Sequence, residues 1–544
     1  MFRSLLSAFF LILAVTLQAQ APPADHTRTV RGTVIDVDTR QPVFGAAVVV
    51  LGSDPVLSAV ADDNGRFAIA KVPTGRVDLR VRAMGYTEVL LPNVLVDAGK
   101  ETVLNVLLES SLTTMEEVAV TADRPRAEMR NDMATLSARK INMEETGRIA
   151  GGINDPARMV SAFPGVAGDA AGDNSIIARG NSPKGVLWRL EGLEIPNPNH
   201  FADEGSTGGP INVLNSDMLD DSEFYTSAFP AEYGNALSAV YDLRLRTGND
   251  QRREYTLKVG VLGTDLTAEG PMPGVEGGSY LVNYRYSSLA LLDGAGIVDF
   301  GGVPKYSDAA IHLKLPAGKV GTFSVFGLGG RGSIHQLDEG ETGDTLFGEA
   351  RMRSRMGVVG VAHSRTLGAN TYIRTTLAMT GNGSGTDYDE SLAPGELPIQ
   401  RVHTDDLARW TMRFSSTVNN RFSAAHKLRS GVIVSVDRYR MAVDGWSLEH
   451  DRMEQQLAAS GKATTLQAFT NWKWRWNEKW DLVSGVHVLH FAYNGSTSVE
   501  PRVALRYQQR PDRSFTLGGG LHSKLETIMT YEATHTADDG TRTR

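Results

Sequence analysis

Beyond residue 17, no stretch of this chain is both apolar and long enough to cross a bilayer as a helix, a span that takes about 20 predominantly apolar residues. From about Arg253 the sequence alternates instead. Tyr255, Leu257, Val259 and Val261 interleave with Thr256, Lys258 and Gly260, and Leu281, Asn283 and Arg285 with Val282, Tyr284 and Tyr286. Thr322, Ser324 and Phe326 interleave with Phe323 and Val325, and Trp472, Trp474 and Trp476 with Lys473 and Arg475. A period of two sends alternate side chains to opposite faces of a strand. Segments of about ten residues, parted by turns such as Pro271–Gly278, are the pattern of a membrane β-barrel. The polar set is too frequent for the dry core of a soluble sandwich and suits a wet lumen. Only a closed sheet removes the unpaired edge groups that hydrocarbon cannot solvate.

Composition narrows the rest. With 41% hydrophobic and 22% charged residues among 544, the chain is not disordered throughout. Its net charge of −8 gives no global reason to bind nucleic acid. The absence of cysteine removes disulfides, thiolate metal sites, a cysteine nucleophile and a lipidated N-terminal cysteine. Met1-Phe2-Arg3, an apolar run from Leu5 to Leu17, and small residues at Ala19 and Ala21 predict a secretory signal peptide over residues 1–21. Pro22 disfavours cleavage directly after Ala21.

Residues 28–109 predict a small β-sandwich. Val77, Leu79, Val81 and Ala83 alternate with Asp78, Arg80 and Arg82, and Val30 and Val34 share one side of the first strand. Asp62-Asp63-Asn64-Gly65 predicts a hairpin turn, because Asn and Gly tolerate positive φ. Its acidic residues lack the alternating spacing of a calcium loop. Residues 110–125 form a link, and Met115–Ala122 within it is extended in propensity. Such a segment either adds to the edge of another sheet or begins the next domain. Residues 126–248 predict a mixed α/β region. Asp155 caps a helix that starts at Pro156, and Phe163-Pro164-Gly165-Val166 stops it. Short strands follow at Ser175–Ala178, Val186–Leu190 and Ala239–Leu245, with long polar connections. Residues 249–544 form the barrel region.

Few residues present themselves for chemistry. Gly327-Leu328-Gly329-Gly330-Arg331-Gly332 fits a dinucleotide fingerprint, but no amphipathic helix follows, so it reads as a glycine-rich strand end. His487 and His490 point to opposite faces of a strand and cannot share a metal. Metalloprotease and hydrolase motifs are absent. No catalytic residue, metal site or cofactor is predicted, and an enzyme is not expected. Six of the seven tryptophans lie beyond residue 400, where they read as a lipid-interface girdle ahead of a sugar-stacking platform.

Ordered pieces along the chain resemble known families. Val30–Val34, Gly45–Val48, Asp63–Phe67 and Met84–Tyr86 resemble the carboxypeptidase-like regulatory domain, a transthyretin-like β-sandwich. Ile177–Ser182, Leu190–His200 and Ala228–Ser238 resemble the plug of TonB-dependent outer-membrane receptors, with Arg179, Gly180, Gly192, Pro196, Phe229, Pro230, Tyr233 and Gly234 as motif residues. Glu269-Gly270-Pro271 and Glu500-Pro501-Arg502 resemble barrel landmarks of that family.

The resemblance implies a mainly β chain with a periplasmic plug inside an antiparallel barrel of 22 strands. It implies uptake of a scarce ligand driven by the inner-membrane TonB–ExbB–ExbD complex, with outer-membrane lipid around the barrel. Glu116, Glu117, Val118, Ala119, Val120 and Thr121 have the place and character of the TonB box. Loops carrying Asn181, Lys184, Asn197, Asn199 and His200 are candidates for contacting a small or oligomeric ligand: a siderophore, cobalamin, glycan or peptide. Strands of about ten residues with their loops would exhaust residues 253–544 at roughly 15 to 17 strands. The family's aromatic terminal residue is missing, so a C-terminally truncated, incomplete barrel is expected. The rival reading is a surface adhesion or binding protein without transport.

Overall fold

The computed structural model describes residues 27–544 except 113–130, 137, 142–145, 147, 150–151, 153–154, 169–172, 203–207, 261–262, 297–301, 340–345, 392–398, 511–512, 534, 537–541 and 544. The expected leader, 1–21, and the expected TonB box, 116–121, lie outside the described residues. The chain forms two compact units, residues up to 35 with 42–108, and residues 36–41 with 109–544.

Seven strands build the N-terminal sandwich: β1 (Thr27–Asp36), β2 (Ala47–Val50), β3 (Ser58–Val60), β4 (Arg66–Pro73), β5 (Gly75–Arg82), β6 (Val89–Val96) and β7 (Thr102–Leu108). They pair as β4-β1-β7 and β3-β2-β5-β6. The alternation read from sequence sets the core, since Val30, Val34, Leu79 and Val81 are fully buried. The 62–65 turn closes on itself. Asp62 Oδ1 accepts the amides of Asn64 at 2.9 Å and Arg66 at 2.8 Å, and Gly65 takes φ +70°. A side chain at Gly65 would lie 2.4 Å from the Val34 carbonyl.

The second unit begins with short elements: β8 (Ala138–Ile141), β9 (Val166–Ala167), β10 (Ile177–Ala178), β11 (Val186–Leu190), β12 (Leu193–Glu194), β13 (Asn199–His200), β14 (Ile211–Asn212), β15 (Ser222–Tyr225) and β16 (Ala239–Leu243). Five pair in the order β12-β11-β16-β15-β8. Strands β11 and β16 run parallel and are buried along their whole length, as central parallel strands covered on both faces are. Trp188 stacks on Tyr241 at 5.1 Å, and Phe224 meets Tyr241 edge-on at 5.5 Å. The helix Pro156–Val160 starts where Asp155 accepts the Ala157 amide, at 2.8 Å.

Around this plug run thirteen antiparallel strands in sequence order. They are β17 (Glu254–Val259), β18 (Gly263–Pro271), β19 (Ser279–Ser287), β20 (Lys305–Pro316), β21 (Thr322–Glu339), β22 (Leu346–Leu367), β23 (Thr371–Glu390), β24 (Gln400–Arg421), β25 (His426–Ser447), β26 (Arg452–Asn477), β27 (Trp480–Phe491), β28 (Ser496–Arg510) and β29 (Arg513–Gly520). Within this sheet β17 pairs only with β18 and β29 only with β28, among the described residues. One face of each strand packs on the plug or lines the lumen, and the other presents exposed apolar side chains such as Leu257, Met379, Met412, Val432 and Leu517.

Two expectations need correction. Among the described residues the large sheet has thirteen strands, not 15 to 17, because β21 to β26 are 18 to 26 residues long. The outer surface explains the length. On β24, Trp410, Met412, Phe414 and Val418 face outward, while farther from the short turn at 422–425 Asp406 pairs with Arg440 on exposed surface at 3.3 Å. About ten tilted residues cover the apolar band, and the remainder continues beyond it with charged side chains. The ten-residue estimate counted only the part inside the band. Likewise, Gly327–Gly332 is not a strand end but lies inside β21.

Trp472, Trp474 and Trp476 stand side by side on the outer face beside the 478–479 turn, with centroids 5.6 and 4.7 Å apart. His426 stacks against the first two at 5.7 and 5.8 Å. Removal of a core side chain from the sandwich has a defined cost. Leu79→Ala is expected to destabilise it by about 2–5 kcal/mol, seen as a lower denaturant midpoint for the sandwich with the plug's exchange protection unchanged.

Candidate functional site

The plug is fastened to the surrounding sheet by buried polar contacts at named motif residues. Arg502 on β28 donates through Nη1 to the carbonyls of Phe229 at 3.3 Å, Pro230 at 2.7 Å and Tyr233 at 2.9 Å. Its Nη2 donates to Glu500 at 2.6 Å. The Ala231 amide donates to Asn471 at 2.8 Å, and its carbonyl accepts from His487 at 2.7 Å. Gly234 is confined by the same wall, since a Cβ there would lie 1.9 Å from His487 Nε2. The Phe229–Gly234 motif is therefore a loop whose carbonyls are gathered by one guanidinium.

Other contacts complete the ring. Glu269 on β18 holds Arg246 in two bonds of 2.7 and 2.9 Å and accepts the Asn249 amide at 3.0 Å. Glu191 accepts from Arg374 on β23 and from the Leu245 amide, the latter at 2.8 Å. Glu232 pairs with Arg429 on β25 at 2.7 Å. Both landmark carboxylates, Glu269 and Glu500, thus act at the boundary between plug and wall. Arg179 and Gly180 form a positive-φ turn at +53° and +75°, and Gly192 takes +86°.

Sequence reasoning missed the use of the β21 glycines. His200 lies against them, its Nε2 2.7 Å from Asp308 and its Nδ1 3.1 Å from Ser354. A Cβ at Gly330 would fall 2.2 Å from Asp308 Oδ1, and one at Gly332 would fall 2.6 Å from Phe201. The glycines leave room for the His200–Phe201 loop to seat on the wall. The residue spacing carried this signal: both glycines fall on the inward face of an alternating strand.

Between plug and wall lies a cavity of about 420 Å³, within the range of small-molecule sites. Asn181, Lys184, Pro196, Asn197, Asn199 and His200 all line it. The wall contributes Arg409, Thr411, Arg413, Ser435, Asp437, Thr465 and Gln467, and the segment after β29 contributes Lys524 to Ile528. The five candidate ligand residues differ in freedom. Asn181 and Lys184 are exposed, and Asn197 is half-buried. Asn199 and His200 are buried and tied into polar networks. Asn199 donates to Asn197 at 2.8 Å and accepts from Asn174 at 3.0 Å. No group of three His, Asp or Glu side chains able to hold a metal occurs among the described residues.

Charge balance inside the plug depends on arginines. Burial pushes the Glu191 carboxyl up, but Arg374 and Arg244 outweigh it and hold the group below its usual 4.5. Burial acts the same way on Asp242, and Arg244 and Arg189 again outweigh it. Burial, then the nearby Asp242, pushes the Tyr233 phenol well above its usual range; it donates to Asp242 at 3.0 Å. Burial pushes the Lys524 ammonium down; it donates to the Val186 carbonyl at 2.7 Å.

Residues 29–109 match the carboxypeptidase regulatory-like domain family. No curated protein matches the chain. Solved structures share its fold at low identity. The outer membrane transporter YddB from Escherichia coli aligns at TM-score 0.51 and 12% identity, covering 73% of this chain and 62% of that one. The copper transporter OprC aligns at TM-score 0.52 and 12% identity, covering 72% and 64%. A variant of the ferric enterobactin receptor PfeA from Pseudomonas aeruginosa aligns at 0.50 and 13%, covering 72% and 62%. The second unit thus has the fold of TonB-dependent receptors, and the chain spans less than two thirds of the length of these structures.

Two outcomes follow. Arg502→Ala leaves Glu500 buried without its cation and is expected to cost about 3–5 kcal/mol, read as faster amide exchange over residues 228–235. Glu191 has a lowered pKa, so its stabilising contribution is complete above about 4.5 and is lost as pH falls through the lower folded value. Plug protection from exchange should fall on acidification in the wild type and fall less in Glu191→Gln.

Proposed function

We propose that the chain acts as an energy-coupled outer-membrane transporter. The observation that carries this reading is a plug filling the interior of an up-and-down sheet beside a ligand-sized cavity, in the fold of outer-membrane transporters. The sheet's outer apolar side chains face lipid. The N-terminal sandwich and the plug's entry lie in the periplasm. Ligand enters the cavity from outside and meets Asn181, Lys184 and Asn197, while Asn199 and His200 hold the loop in place. The TonB–ExbB–ExbD complex engages residues 116–121 by strand addition. Its pull rearranges the plug against the polar ring described above and opens a path. The protein itself carries out no catalysis.

Relatives in fold include a copper transporter and a ferric enterobactin receptor, and the ligand here belongs to the same broad range of scarce solutes. Deletion of residues 116–121 is expected to abolish accumulation of the ligand in cells while leaving binding to the purified protein unchanged. Accumulation that persists after the deletion, or after collapse of the proton-motive force, would contradict the proposal and favour passive surface binding.

A further inference from the structure

The cavity contains an under-satisfied buried cation. Arg413 on β24 lines it, and its side chain is only 5% exposed. Nη1 donates to Thr380 Oγ1 at 2.6 Å. Nε has no partner among the described residues. The nearest carboxylate to Nη2 is Glu194 Oε1 at 3.8 Å, too far for a hydrogen bond, and Glu194 is itself engaged by Asn235 at 3.3 Å. The next acid, Asp437, is taken by Arg409 at 3.0 Å and by Thr411 at 2.5 Å. A guanidinium removed from water with one strong bond is costly unless something else pairs with it. Nε has no partner and Nη2 reaches Glu194 only at ion-pair distance, so this edge of the guanidinium is where a further carboxylate would add charge-assisted bonds.

Two lysines stand on the same cavity. Lys524 donates to a backbone carbonyl with Glu194 and Glu526 near it, and Lys184 is exposed at the lining. Arg355 and Arg409 line it too, against the carboxylates Glu194, Asp437 and Glu526, so cations outnumber acids; amides and hydroxyls at Asn181, Asn235, Ser435, Thr465 and Gln467 and apolar side chains such as Trp188 and Phe491 complete the lining. We infer that the cavity binds an organic anion whose carboxylate docks on Arg413, with Lys524 and Lys184 flanking it and the amide and hydroxyl side chains taking the ligand's remaining polar groups. The inference rests on the transporter reading for its physiological meaning, but binding itself does not require transport. An acidic sugar and a peptide C-terminus offer the same chemistry.

The test is equilibrium binding to the purified full chain with four probes: digalacturonate, its methyl ester, trialanine and trialanine amide. At least one free carboxylate is expected to bind, with its neutral counterpart weaker by about tenfold or more, the scale of a lost charge-assisted pair. Arg413→Gln should remove that difference, and Arg413→Lys should restore part of it. Unchanged exchange protection over residues 228–235 would show that each variant keeps its plug seated, and Lys524→Gln serves as the second variant if Arg413→Gln does not fold. Which of the two acids binds separates the sugar source from the peptide source. Equal binding of acid and neutral forms, no binding of either acid, or full retention in Arg413→Gln overturns the inference. Carboxylate binding without energy-dependent uptake would instead overturn the transporter reading and leave this site standing.

Discussion

Everything in the second unit depends on neutralising charges that the plug and the sheet bury against each other. Arg502, Glu500, Glu191, Glu232, Asp308 and Glu269 are each at or near full burial, where an unpaired ion is costly. Each finds its partner across or beside the boundary between plug and wall. Hydrophobic contact alone would let the plug settle in several positions. A ring of directional ion pairs selects one.

The two sides of the lumen divide this labour. On strands β19 to β23, Leu281, Phe326, Leu328, Met356, Val358, Ala362 and Ala378 merge with the plug's apolar core. On β24 to β28 buried polar residues, Thr411, Arg413, Asp437, Gln467, Lys473 and Arg502, stand among apolar ones such as Ile433, Met441, Phe469 and Leu489. The cavity sits on this more polar side.

Much of this was legible in the chain itself. Period-two alternation identified both faces of β17, β19 and β26, because the pleat offers no other arrangement for such a pattern. Asp155 and Pro156 announced a helix start through local backbone chemistry. The motif loops at 177–182 and 228–238 and the carboxylates Glu269 and Glu500 were visible as resemblances, but their purpose was not. That Gly234 must lie beneath His487, 253 residues away, is a long-range steric fact without a local signature. Strand length escaped for a related reason, since alternation continues unchanged where strands leave the apolar band and only the outward residue type shifts, as from Trp410 to Asp406. His200 was read as a ligand contact from its polar loop, whereas Asp308 and Ser354 occupy both its ring nitrogens.

The most direct measurement is the environment of single nitroxide labels along β24 in lipid bilayers, which the absence of native cysteine makes simple. Labels at 410, 412, 414 and 418 should be accessible to oxygen and shielded from a water-soluble relaxant. A label at 406 should meet the relaxant freely, and labels at 411, 413 and 415 should be immobilised against the plug. Uniform aqueous access along the strand, or loss of the two-residue period, would contradict a lipid-facing wall packed on a charge-paired plug.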